Sequence, residues 1–193
     1  MYKAENTDFA YLAGNGSMDG FRRAIKLAIN YKPRGFCINP VVCDYLVQNN
    51  DIFGMYEELR TMGILRQYVI DFPLGQGGCA GKFLLAEELA SNRLVDELDV
   101  VANIGSILDN DYETFSSEFR DLIQLKIPIK VIVETGYYPY SSEVLTRAVH
   151  WCAKLGVFAI KTSTGFINNI DNSVKLIHVE TCKKIISKEK YNL

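Results

Sequence analysis

Short apolar runs alternate with longer amphipathic segments along the sequence. The clearest runs are Gly35-Phe36-Cys37-Ile38, Tyr68-Val69-Ile70, Leu98-Asp99-Val100-Val101-Ala102, Lys130-Val131-Ile132-Val133 and Val157-Phe158-Ala159-Ile160. They are short and mostly rich in β-branched residues, which predicts strands buried on both faces of a parallel sheet. A weaker first strand is expected near Phe9-Ala10-Tyr11-Leu12. The intervening segments follow a helical period. Asn110-x-x-Glu113 reads as a capping pair ahead of a stripe at Tyr112, Phe115, Phe119, Leu122 and Ile123. Ser141 can cap a helix carrying Val144, Leu145, Ala148, Val149 and Cys152, which Gly156 ends. Asn172 or Ser173 opens a last helix with Val174, Ile177, Cys182, Ile185 and Ile186 on one face.

Strand centres recur about every 30 residues, the length of a β/α unit with a right-handed crossover. No linker or composition break divides residues 1–193, so a single domain is expected. Six units fit this length. Eight would need about 240 residues, and eight close a (β/α)8 TIM barrel. Six strands also make a doubly wound Rossmann sheet, so periodicity alone leaves the two architectures open.

Composition narrows the function classes. Hydrophobic residues make up 48% and charged residues 23%, with a formal net charge of −2, which is the profile of a globular domain. Twenty-one basic residues balance twenty-three acidic ones, so no basic footprint argues for nucleic acid. No apolar run is long enough for a membrane span, and Met1–Asn6 lacks the apolar stretch of a secretory signal. The five cysteines (Cys37, Cys43, Cys79, Cys152, Cys182) form no C-x-x-C pair, and only two histidines could help bind a metal. Free thiols in a reducing cytoplasm, without a metal site, are therefore expected.

In either architecture chemistry sits at the carboxyl ends of the strands. After the run ending at Ile70, Gly75, Gly77 and Ala80 match a G-x-G-x-x-A pattern, though Pro73 suits a flexible loop better than a dinucleotide turn. Asp99 lies inside an apolar run, where an ionised carboxylate is costly unless paired. Lys130 opens the next run, and Lys130, Ile132 and Glu134 share one face by the two-residue period. The sixth run ends in Lys161-Thr162-Ser163-Thr164-Gly165, a lysine followed by a hydroxyl-rich, glycine-ended loop suited to an oxyanion. Lys161 shares a face with Ala159, which leaves room beside the amine, while Phe158 and Ile160 can pack on helices. One carboxylate and two amines on neighbouring strands can balance one another, and such a cluster is easier to explain as a site than as scattered buried charge.

These segments resemble the deoxyribose-phosphate aldolase family. Lys130-Val131-Ile132-Val133-Glu134-Thr135-Gly136 is similar to that family's fifth strand, and Phe158-Ala159-Ile160-Lys161-Thr162-Ser163-Thr164-Gly165-Phe166 to its Schiff-base strand. Asp96–Gly105 resembles the strand carrying the proton-relaying aspartate. Phe72-Pro73-Leu74-Gly75 and Cys37-Ile38-Asn39-Pro40 match in order as well, so the resemblance runs from about residue 20 onward. It implies a (β/α)8 TIM-barrel fold of α/β class and class I aldol cleavage of 2-deoxy-D-ribose 5-phosphate to glyceraldehyde 3-phosphate and acetaldehyde. No metal or organic cofactor is implied. Lys161 would be the Schiff-base lysine, Asp99 the acid/base aspartate working through an ordered water, and Lys130 a nearby cation. Thr162, Ser163, Thr164, Gly165 and Cys37 would face the substrate. The implied partners are a small phosphorylated sugar or aldehyde and a second copy in a homodimer, in the cytoplasm.

Two departures qualify the expectation. Phe9-Ala10-Tyr11-Leu12 stands where the family's first strand carries an aspartate-x-threonine pair. The sequence ends at Leu193, where the family's seventh strand would begin, so about six of eight units are expected here, without the second lysine of strand seven or the phosphate cradle of strand eight. Poising an amine of ordinary pKa about 10.4 near neutrality takes roughly 3 units, or about 4–5 kcal/mol, which burial plus a neighbouring cation can supply. A catalytically impaired relative acting by binding or assembly is the alternative expectation, and a nucleotide binder using Gly75 and Gly77 a third.

Overall fold

The structure, a computed structural model, describes residues 4–12, 16–39, 42, 46, 48–70, 78–136, 142–166 and 176–193. Six strands form one parallel sheet: β1 (Asp8–Tyr11), β2 (Gly35–Ile38), β3 (Leu65–Ile70), β4 (Glu97–Val101), β5 (Ile129–Ile132) and β6 (Ala159–Lys161). Their spatial order is the chain order, β1-β2-β3-β4-β5-β6. A doubly wound sheet reverses direction after its first strands. Here every crossover moves on to the next neighbour, so the sheet curls one way into a half-barrel, and the Rossmann alternative is overturned.

Seven helices are described along this sheet: α1 (Met18–Tyr31), α2 (Asn50–Thr61), α3 (Gly78–Ser91), α4 (Ile104–Leu108), α5 (Tyr112–Gln124), α6 (Ser142–Leu155) and α7 (Leu176–Glu189). In α1 the Ser17 hydroxyl accepts from Gly20 N at 3.1 Å, and Phe21, Ala24, Ile25 and Ala28 form the stripe that docks on the sheet. The cap of α5 is Asp111, one residue past the expected Asn110: its carboxylate accepts from Thr114 N at 3.0 Å and Thr114 Oγ1 at 2.6 Å. Asn110 instead takes a left-handed φ of 59° to turn the chain into the cap. Gly156 ends α6 at φ 71°, as expected. Ser141, Asn172, Ser173 and Val174 lie outside the described residues. Within α7, Cys182 is buried and Ile185 and Ile186 pack beside it, but Ile177 is exposed and His178 takes the inward position.

Alternation along the strands separates two interiors. Phe36, Ile38, Tyr68, Ile70, Leu98, Val100, Val131 and Val133 point outward into the helices and make the main core with Phe115, Phe119 and Leu122. Each large apolar side chain buried there contributes about 1.5–3 kcal/mol. The alternate residues point to the concave face. There Cys37, Val69, Val101 and Ile132 form a small apolar layer, and Asp8, Gln67, Glu97, Asp99 and Lys130 are polar. Ile160 packs outward as expected, whereas Phe158, just before β6, is 51% exposed. No described helix is long and apolar enough to cross a membrane.

Candidate active site

Register brings the charges together. Asp99 pairs with Lys130 across β4 and β5, and Ile132 pairs with Lys161 across β5 and β6. The Lys161 Nζ donates to Asp99 Oδ2 at 2.8 Å, and Lys130 Nζ lies 2.9 Å from Asp99 Oδ1, so one buried carboxylate is shared by two amines. Lys130 also contacts Glu97 at 2.8 Å and Asp8 at 2.9 Å. Arg34, directly before β2, closes the far end with contacts to Glu97 at 2.8 Å and Asp8 at 3.2 Å. Three carboxylates thus meet three cations in a chain running Arg34, Glu97 and Asp8, Lys130, Asp99, Lys161.

Exposure grades along that chain. Asp99 is 1% exposed and Lys130 8%, but Lys161 is 30% exposed at the carboxyl end of its strand. The amine at the end is therefore the member a small molecule can reach. Lys130 is a cation on the far side of Asp99 from Lys161. Burial opposes its charge, but Asp99, Glu97 and Asp8 outweigh burial and hold it protonated, well above the ordinary lysine range. The group touching Lys161 is instead a carboxylate. Glu97 is pushed up, because burial outweighs the pull of Lys130 and Arg34. Asp8 is held below its ordinary value: burial raises it, but hydrogen bonding and charge from Lys130 prevail.

Cys37 lies beneath the pair, its Sγ 3.9 Å from Asp99 Oδ2. Burial first, and then the Asp99 charge, push its thiol up to about 12, so it is a neutral donor rather than a nucleophile. Gly35 has a positional reason for lacking a side chain. A Cβ there would sit 2.0 Å from Gln67 Nε2 and 3.0 Å from Asp8 Oδ1, colliding with the floor of the network.

The loop after β6 is internally braced. Ser163 Oγ accepts from Gly165 N at 2.8 Å, and Gly165 adopts φ 85°. Thr164 is buried, and its hydroxyl donates to Glu134 Oε2 at 2.5 Å, so it turns to the scaffold rather than the cleft. Thr162 is half-buried next to Lys161. Glu134 lies past the end of β5, with a left-handed φ of 45°. That conformation costs on the order of 1–3 kcal/mol in a residue with a side chain. Gly75, Gly77, Pro73 and Pro40 lie outside the described residues. Both histidines sit in helices, and among the described residues no group of three or more His, Cys, Asp or Glu is placed to hold a metal ion.

Asp8, Glu97 and Arg34 were not singled out from the sequence. Asp8 stands just before the weak first run and Glu97 two residues before Asp99, so the two-residue period was the available signal for both. An aspartate does occupy the first strand, with Asp8-Phe9-Ala10 bringing a carboxylate to Lys130.

Parallel strands in sequential order, with a lysine–aspartate pair at their carboxyl ends, define a protein of β/α-barrel type. The comparisons with known proteins agree. A deoxyribose-phosphate aldolase of Aciduliprofundum boonei is 30% identical over 167 residues, covering 84% of this chain and 70% of the relative. That of Staphylococcus carnosus is 28% identical over 165 residues, with the same coverage. The chain belongs to the deoxyribose-phosphate aldolase family, a family of lyases. No family model matches the sequence. Among solved structures, one from Coccidioides immitis described as a candidate deoxyribose-phosphate aldolase superposes with a TM-score of 0.83 at 19% identity, covering 98% of this chain and 70% of that one. The tetrameric deoxyribose phosphate aldolase of Aeropyrum pernix gives 0.76 at 22% identity, covering 96% and 73%. At those identities both speak for the fold.

Proposed function

We propose that the protein cleaves 2-deoxy-D-ribose 5-phosphate to glyceraldehyde 3-phosphate and acetaldehyde through an imine on Lys161. One observation carries the reading: an amine that is 30% exposed lies 2.8 Å from a carboxylate that is 1% exposed, at the carboxyl ends of barrel strands. Lys161 Nζ, once it has given up its proton, attacks the aldehyde carbon and forms a carbinolamine. Loss of water gives the imine, which draws electrons from the carbon–carbon bond one position further along, between C2 and C3 of the sugar. That bond breaks as the substrate's neighbouring hydroxyl loses its proton. Glyceraldehyde 3-phosphate leaves, and the electron pair stays on Lys161 as an enamine. Protonation of the enamine carbon and hydrolysis release acetaldehyde and restore the amine.

Asp99 is the group to move these protons, since its Oδ2 touches the reacting nitrogen. Lys130, held protonated by its three carboxylates, holds Asp99 in place from the other side. Thr162, Ser163 and Gly165 line the approach to the amine, with Cys37 beneath it. The route needs no metal or organic cofactor. The reading extends to a role in carbohydrate and nucleotide catabolism in the cytoplasm, as a homodimer. Exposed Phe9, Leu27 and Tyr31 on β1 and α1 give a second copy an apolar surface to cover.

Release of acetaldehyde from 2-deoxy-D-ribose 5-phosphate, followed by reductase-coupled absorbance, tests the assignment. Turnover that Lys161→Met removes is the expected result. No turnover, or turnover that survives Lys161→Met, would count against it, and sedimentation of the same sample tests the dimer.

A further inference from the structure

Glu134 belongs to none of the contacts that link the charged chain on the concave face, yet it is fully buried and kept in a left-handed backbone conformation. Its neighbours explain the placement. Val133 N donates to the carbonyl of Lys161 at 3.0 Å, and Thr135 N donates to the carbonyl of Thr162 at 2.8 Å. Between these two bonds the Glu134 carboxylate reaches further along the same segment. Its Oε2 accepts from Thr164 N at 2.9 Å and from Thr164 Oγ1 at 2.5 Å. Residues 133–135 therefore grip Lys161, Thr162 and Thr164 through four hydrogen bonds, two of them to an acidic side chain. Strain of this kind persists where the surroundings over-determine it, which is common at functional sites.

We propose that Glu134 is a positioning residue for Lys161: it brackets the segment after the amine and so sets the angle at which Nζ meets a carbonyl substrate. The proposal rests on the reading of Lys161 as the reacting amine. Its partner in the bracket is the Thr164 hydroxyl, which accounts for that hydroxyl facing the scaffold. The carboxylate suits the task because one oxygen accepts two donors at once, and a charged acceptor makes both bonds stronger. Glu134 itself does not touch the substrate.

The test is the single-turnover rate of imine formation with acetaldehyde, read by rapid quenching into borohydride, in Glu134→Gln, Thr164→Val and Thr164→Ser. Small misplacements of a reacting group cost one to two orders of magnitude. Glu134→Gln and Thr164→Val should each slow imine formation about tenfold, with the combined variant no slower than the worse single. Thr164→Ser, which keeps the hydroxyl, should stay within about twofold of the parent. Rates within twofold for both Glu134→Gln and Thr164→Val, or strictly multiplicative effects in the combined variant, would overturn the proposal. If Glu134→Gln fails to fold, Thr164→Val tests the same bracket from the other side. If the parent forms no imine, the reading of Lys161 falls, and hydrogen exchange then judges the bracket separately. The Thr164 amide should exchange at least about tenfold faster in Glu134→Gln while that of Val100 is unchanged, and equal Thr164 exchange would overturn the bracket.

Discussion

Two groups of buried charge in this protein look alike in composition and differ in how they end. Lys82 and Glu118, both nearly inaccessible, pair between α3 and α5. Lys82 also donates to the carbonyl of Val101 at 2.7 Å, and Glu118 accepts from Asn103 N at 2.8 Å. These two partners are scaffold, and the contacts pin the end of β4. The concave-face group has the same chemistry, but its last member, Lys161, opens to solvent. Replacing a closed buried pair by apolar residues is often neutral or stabilising, so stability alone gives little reason to keep six charges together. The difference teaches that buried charge braces scaffold when its contacts stay inside the fold, and points to a site when the chain of contacts ends in a side chain that solvent reaches.

Breaking each group separately sharpens this contrast. The largest effect is expected from Lys161→Met, which should lower kcat on 2-deoxy-D-ribose 5-phosphate by about 10⁴-fold or more. It should change the urea midpoint little, because the amine is partly solvated. Lys82→Met should do the reverse. It leaves Glu118 charged and without its ammonium, for a loss of about 3–5 kcal/mol in denaturant unfolding, with kcat per folded molecule nearly kept. Lys82→Met combined with Glu118→Leu should recover much of that loss. Next in size is Asp99→Asn, with a kcat lower by about 10²- to 10³-fold as a proton carrier is removed.

The smallest effect lies in a third charged cluster, where Arg66 meets Asp96 at 2.9 Å and also pairs with Glu57. Burial raises the Asp96 carboxyl, but the Arg66 side-chain and backbone hydrogen bonds prevail and hold it below its ordinary value. Its contribution is thus fully present above the unfolded pKa of about 3.9 and lost as pH falls through the lower folded value. The drop in urea midpoint from pH 5 to pH 3 should be smaller in Asp96→Asn than in the parent, by the equivalent of about 1 kcal/mol or less.

Much of this arrangement was legible in the sequence, and the unreadable parts share a cause. Asp99, Lys130 and Lys161 stood out because each interrupts, opens or ends an apolar run, where charge is costly. Asp8, Glu97 and Arg34 did not, because charge at the edge of a short strand is ordinarily solvated. Only the curl of the sheet turns Asp8 and Glu97 inward onto Lys130, with Arg34 pairing to both carboxylates. Cap position shifted by one residue, from Asn110 to Asp111, because both side chains suit a cap and only backbone geometry chooses between them. The inward turn of His178 in place of Ile177 depends on where Thr135 ends up, with Thr135 Oγ1 2.9 Å from His178 Nδ1. Strand order in turn decided between barrel and doubly wound sheet, which equal spacing along the chain could not.

The central claim is that the accessible end of the charged chain is the reacting atom. Incubating the protein with acetaldehyde, reducing with borohydride and mapping the modified peptide by mass tests it most directly. The account predicts a single two-carbon adduct on Lys161, absent in Lys161→Met and still formed in Lys82→Met. An adduct on another lysine, or none under conditions that trap the Aciduliprofundum boonei relative, would contradict it.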